Sequence, residues 1–160
     1  MWVRRAATKE ILDSASRHYP QESGGILMGY WSDSDNVVAT HSIGPGPDAE
    51  HREHSFKPDH EWQAEEVARH YESSGRIETY LGDWHSHPGT QWADLSFKDR
   101  ATLYRIAKYQ AARAPTPIMA VVIGEPDSWH IAGWVGQAVR RLGIFPGLSV
   151  EKVIPRDESR

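Results

Sequence analysis

The chain has 160 residues, of which 39% are apolar, and its 18 basic and 22 acidic side chains leave a formal charge of −4 with His neutral. These values describe one ordinary globular domain long enough to bury a single core. They exclude a disordered chain and, without a basic excess, a protein that grips nucleic acid through its phosphates.

Cysteine is absent, which removes disulfide scaffolds, thiolate metal sites and thiol nucleophiles together and leaves His, Asp and Glu as metal ligands. The first ten residues lack the apolar core of a signal peptide, and the longest apolar run, Ile118 to Ile123, is too short to span a bilayer. The expected location is the cytoplasm, with no membrane or nucleic-acid partner.

In chain order, Ile11, Leu12 and Ala15 fall at helical spacing between about Thr8 and His18, and Pro20 ends that helix. Two strands joined by a polar turn follow at Ile26 to Trp31 and Val37 to Thr40. Gly44, Pro45, Gly46 and Pro47 make the next stretch a surface loop, before a short strand at about His51 to Phe56. Pro58 and Asp59 suit a helix start, and Gly75 its end. Ile77 to His87 reads as a strand, and from Ser96 a helix places Leu103, Ile106, Ala107 and Gln110 near one face until Pro115 and Pro117. The continuous apolar run at Ile118 has the character of a strand buried on both faces. Strands at Trp129 to Val135 and Leu148 to Ile154 complete an interleaved pattern that argues an α/β or α+β layered domain over residues 1–154, with a flexible tail over 155–160.

The informative segment runs from Gly82-Asp83-Trp84-His85-Ser86-His87-Pro88 to Ser96 and Asp99. Period-2 alternation sends both imidazoles to one face of the strand end, and Ser96 and Asp99 share a helix face, so a third ligand can reach the same point. Two neutral imidazoles and a carboxylate leave a fourth tetrahedral position open, the pattern of a catalytic zinc; manganese, iron or cobalt also suit these donors. Hydrolysis needs a proton acceptor as well, and from spacing alone Glu22, Asp83 and Asp94 are all candidates. Ser96 and Asp99 equally fit a capping pair at a helix start. Trp92 sits in the connecting loop, where core packing and substrate contact are both open to it, whereas Trp84 alternates with His85 and faces the core. His51, His54 and His60 cluster in sequence without sharing a face, so solvated histidines or a groove rim explain them better than a second metal site.

The segment matches H-x-H-P-x7-S-x2-D without a gap, and Pro20 to Gly29 supplies P-x-E-x-x-G-x-L-x-G. Together they resemble the JAMM metalloproteases, the catalytically competent branch of the MPN domain family, in its small prokaryotic form. The resemblance extends to about Val135. It implies a cytidine-deaminase-like fold in which a mixed central sheet is flanked by helices. It implies that His85, His87 and Asp99 ligate one zinc ion per chain, that Glu22 is the general base toward the attacking water, and that the Ser96 hydroxyl assists at the water or the developing oxyanion. The implied reaction is hydrolysis of a peptide or isopeptide bond next to the C-terminal Gly-Gly of a ubiquitin-like protein, free or conjugated. The alternatives are a non-catalytic MPN-type scaffold and a zinc amidase acting on another amide.

Overall fold

Ten strands and three α-helices are seen in the computed structural model, which describes residues 1–141 and 145–158. In chain order these are β1 (Trp2–Arg4), α1 (Arg5–His18), β2 (Gly24–Trp31), β3 (Val37–Ile43), β4 (Glu50–Arg52), β5 (Ser55–Lys57), α2 (His60–Ser73), β6 (Thr79–Pro88), α3 (Phe97–Lys108), β7 (Ile118–Gly124), β8 (His130–Arg141), β9 (Phe145–Val153) and β10 (Arg156–Glu158). Eight of the strands form one mixed sheet in the order β10-β1-β3-β2-β6-β7-β8-β9, and β4 and β5 form a separate hairpin. The protein is thus a mixed α+β domain with its sheet flanked by helices. No helix among the described residues is long and apolar enough to cross a membrane.

Two apolar layers hold the sheet. On one face, Ala7, Ile11 and Ala15, four residues apart on α1, pack with Leu27, Leu81, Trp84, Ile118, Ala120 and Val122. On the other, Leu103 of α3 packs with Leu95, Met119, Val121, Ile123 and Trp134. Successive residues of β7 therefore enter opposite layers, which is why its sequence is apolar without alternation.

The ends of α2 fall where the sequence expects them, whereas other boundaries differ. Asp59 caps α2, its carboxylate accepting the Trp62 N–H at 3.1 Å, and Gly75 stands just past the helix with φ of 70°. The third helix stops at Lys108, well short of Pro115, and Gln110 lies in a separate 3-10 turn, so it is not part of the packed face. The single strand expected at His51 to Phe56 is a hairpin of two three-residue strands. The tail expected from Pro155 is corrected at Arg156–Glu158, which pairs in parallel with Trp2–Arg4. Residues 159–160 of that tail lie outside the described residues.

Candidate metal centre

The site begins with a bulge. Leu27 pairs with Gly82 and Met28 with Tyr80, so Leu81 is an extra residue in β6. The insertion re-phases the strand, and Leu81 and Trp84 both enter the α1 layer despite their odd separation. Asp83, His85 and His87 are left on the opposite side, where their β7 partners Met119, Val121 and Ile123 belong to the layer beneath α3.

Helix α3 then brings Asp99 over the two imidazoles. Ser96 is its N-cap: Ser96 Oγ accepts the Asp99 N–H at 3.2 Å, and Asp99 Oδ2 accepts the Ser96 N–H at 2.8 Å. The other oxygen, Oδ1, lies 3.5 Å from His85 Nε2, and His85 Nε2 lies 3.1 Å from His87 Nε2. Donors around a tetrahedral zinc, each about 2.0–2.1 Å from the ion, stand roughly 3.3 Å apart, so this spacing fits. Among the described residues, His85, His87 and Asp99 are the one group of three such side chains whose ligand atoms converge, all within 4.8 Å. Burial lowers the pKa of His85 to about 4 and lowers that of His87. Both rings are therefore neutral at pH 7, the form that ligates.

Glu22 precedes β2 at the same end of the sheet. The Ser86 N–H donates to Ser23 O at 2.7 Å and Gly24 pairs with His85, so alternation places Glu22 on the imidazole face, level with His87. Burial raises the pKa of its half-buried carboxyl, and Asp99 adds to the rise while Lys98 and His54 oppose it. The hairpin holds its backbone: the Glu22 N–H donates to Arg52 O at 2.8 Å, and His51 Nδ1 meets Glu22 O at 2.9 Å.

The other candidates for the base are placed differently. Asp83 shares the imidazole face, but its carboxylate accepts the Tyr80 hydroxyl at 2.8 Å, and burial raises its pKa to about 6. Asp94 is exposed in the loop before α3. Trp92 is 71% exposed, so it is not a core residue, and Phe97 beside the cap is 90% exposed. His51, His54 and His60 do not converge. His51 stacks on His18 at 3.8 Å between ring centroids, and His54 at the hairpin turn is felt electrostatically by Glu22, which makes the hairpin a rim of the site. The residues that sequence reasoning missed are Ser14, Ser23 and Ser86, all buried. The available signal was a polar Ser86 on the α1 face of the strand, between two histidines that face the α3 side.

Gly25 of the upstream motif is explained by packing. A Cβ there would lie 2.1 Å from Ile43 O and 2.7 Å from Trp84 Nε1. The indole lies against the bare glycine, and its N–H has no hydrogen-bond partner among the described residues.

A mixed sheet that presents His-x-His at a strand end, with an aspartate converging from the next helix, defines an α+β domain with a candidate three-ligand metal centre. The chain belongs to the family described as prokaryotic homologs of the JAB domain, whose sequence profile matches residues 4–135. It is 42% identical over 145 residues to the probable metalloprotease y4qB of Sinorhizobium fredii, covering 91% of this chain and 88% of that one. Its fold is similar to the solution structure of protein DSY2949 from Desulfitobacterium hafniense, with a TM-score of 0.65 at 21% identity, covering 99% of this chain and 94% of the other.

Proposed function

We propose that this protein is a zinc-dependent isopeptidase or peptidase that cleaves the amide bond following the C-terminal Gly-Gly of a ubiquitin-like protein in the cytoplasm. The observation that carries the reading is the convergence of two neutral imidazoles and one carboxylate with a half-buried glutamate at the same end of the sheet. His85, His87 and Asp99 would hold one zinc ion, which when bound supplies a Lewis acid that lowers the pKa of water and polarises a carbonyl.

Glu22 takes the proton of the attacking water and passes it to the leaving amine. Its raised pKa suits both halves of that transfer, since an ordinary carboxylate is a weaker base. Ser96 Oγ already accepts the Asp99 N–H, which leaves its hydroxyl hydrogen to donate to a developing oxyanion. Trp92, standing out of the loop beside the site, gives an apolar contact for the body of the substrate. Phe97, just after the cap of α3, is also exposed, and two exposed aromatic side chains in the segment between the ligands favour a protein-sized substrate over a small amide. The complete donor set argues against a purely scaffolding role.

The test has two stages. Protein purified without a His-tag is expected to carry about one zinc per chain by plasma mass spectrometry, and Asp99→Ala to carry none. The loaded protein is then offered ubiquitin-like domains extended beyond Gly-Gly. Glu22→Gln is expected to keep its zinc and to lose roughly 100- to 10,000-fold in turnover. A folded native chain that stays metal-free after zinc reconstitution would refute the reading.

A further inference from the structure

The H-x-H motif leaves its middle position open, yet here that residue is completely buried. Ser86 and Ser23 are both 0% exposed and Ser14 of α1 is 7% exposed. Ser86 points away from the imidazoles into the α1 side of the sheet. Its Oγ accepts the Ser23 N–H at 2.9 Å and donates to Ser23 O at 3.3 Å, while the Ser86 N–H also donates to Ser23 O at 2.7 Å. Ser23 Oγ in turn lies 3.1 Å from Ser14 Oγ. Ser23 is thus held on its hydroxyl by Ser14 of α1 and on its backbone by Ser86 of β6.

Ser23 directly follows Glu22, and Ser86 directly joins His85 to His87. Ser86 Oγ is the acceptor for the Ser23 N–H, which has no water to turn to in this buried position. The carboxylate of Glu22 reaches the site from a residue whose own N–H and C=O are held from the hairpin side. The position of the base relative to the two ligands is therefore set by two backbone clamps, one on residue 22 and one on residue 23.

We propose that Ser86 is a positioning residue that registers the Glu22 segment against the metal-ligand strand. It touches no reacting atom. Loss of its hydroxyl leaves the Ser23 N–H without its acceptor and the Ser23 peptide held only by the bond from the Ser86 N–H to Ser23 O. The Glu22 carboxylate is then free to drift, while His85, His87 and Asp99 stay held by β6 and the cap of α3. A displacement of about 1 Å in a group that moves a proton can cost as much as 100-fold in rate. The proposal rests on Glu22 being the general base, and the experiment separates the two.

Ser86→Ala, Ser86→Thr and Glu22→Gln, alone and with Ser86→Ala, are compared on a ubiquitin-like domain joined through its C-terminal Gly-Gly to a fluorogenic amine. Zinc content and hydrogen exchange of the Ser23 and Glu22 amides are measured alongside. Ser86→Ala is expected to lose 10- to 100-fold in kcat with KM within threefold, to keep one zinc per chain, and to exchange the Ser23 amide at least tenfold faster. Ser86→Thr, which restores a hydroxyl, is expected within threefold of wild type. In the Glu22→Gln background the further loss from Ser86→Ala is expected to be under twofold, because the group it positions is gone. Loss of zinc in Ser86→Ala, an unaltered kcat, or a multiplicative loss in the double variant would each overturn the proposal. Wild-type turnover by Glu22→Gln would instead refute Glu22 as the base and the proposal with it. Should the wild type leave this amide intact, only the substrate assignment fails, and an unchanged Ser23 exchange rate still overturns the positioning role. If Ser86→Ala does not fold, Ser86→Cys, with similar volume but a weak acceptor, carries the same comparison.

Discussion

Asp99 divides its carboxylate between two tasks. Oδ2 accepts the Ser96 N–H at 2.8 Å and closes the cap of α3, while Oδ1 faces His85 Nε2 at 3.5 Å. The helix cap and the proposed third ligand are therefore one residue, and the two readings of Ser96-x-x-Asp99 are compatible.

Substitution can separate these tasks. Asparagine keeps an oxygen able to accept the Ser96 N–H but removes the negative charge, so Asp99→Asn is expected to lose the metal and keep the cap. Asp99→Ala loses both. With chelator present, Asp99→Ala is expected to be less stable than Asp99→Asn by about 1 kcal/mol, the usual worth of a helix cap. Thermal unfolding of the metal-stripped variants measures this, and identical midpoints would show that the cap contributes nothing.

Gly25 makes a sharper demand. The atom that a Cβ would strike at 2.1 Å is the backbone carbonyl of Ile43 on the paired strand, which cannot move without breaking the β2–β3 ladder. Gly25→Ala is expected to cost about 3 kcal/mol or more, the upper end for overpacking, and to lower the urea midpoint of the metal-free protein. An unchanged midpoint would mean that the two strands do not approach as closely as described.

Much of this arrangement could be read in the sequence, and the parts that could not share a cause. The helices α1 and α2 and the strand β7 announce themselves through local periodicity, caps and apolar runs, and the Pro88 break lets His85, His87 and Asp99 be placed by spacing. Strands β1 and β10 are invisible in that way. Each is three residues long and is defined by distant partners: Trp2 pairs with Val38 on one side and with Arg156, about 150 positions away, on the other. The bulge at Leu81 is equally silent, since it is defined by the strand opposite. Glu22 fell between these cases. Its own motif is local, but what separates it from Asp83 as a candidate base is the Tyr80 hydroxyl that donates to one Asp83 carboxylate oxygen.

The hairpin that holds Glu22 carries a pH dependence. Burial lowers the pKa of His51 below the ordinary value of 6.5, with the bond to Glu22 O opposing the shift and the neighbouring His18 adding to it. Such a group binds fewer protons folded than unfolded. Its contribution is whole above pH 6.5 and falls away as the pH drops below that value toward the folded-state pKa. The metal-stripped wild type is therefore expected to lose more stability between pH 7.5 and 5.5 than His51→Phe, which keeps a ring to stack on His18 but has nothing to protonate. Urea midpoints at the two pH values decide it, and parallel losses in both proteins would remove His51 as the source.

Trp92 gives the clearest separation of binding from folding. At 71% exposure it has little packing to lose, so Trp92→Ala is expected to leave the unfolding midpoint within the range of a neutral surface change, about 0.5 kcal/mol. If the indole contacts the body of a protein substrate, its removal raises KM for a full ubiquitin-like conjugate several-fold. It leaves cleavage of a short peptide whose Gly-Gly is joined through an amide to the same leaving amine unchanged, because the short peptide never reaches it. Equal losses on both substrates would place the effect at the reacting centre and make the loop that carries Trp92 part of the machinery that orders Ser96 and Asp99.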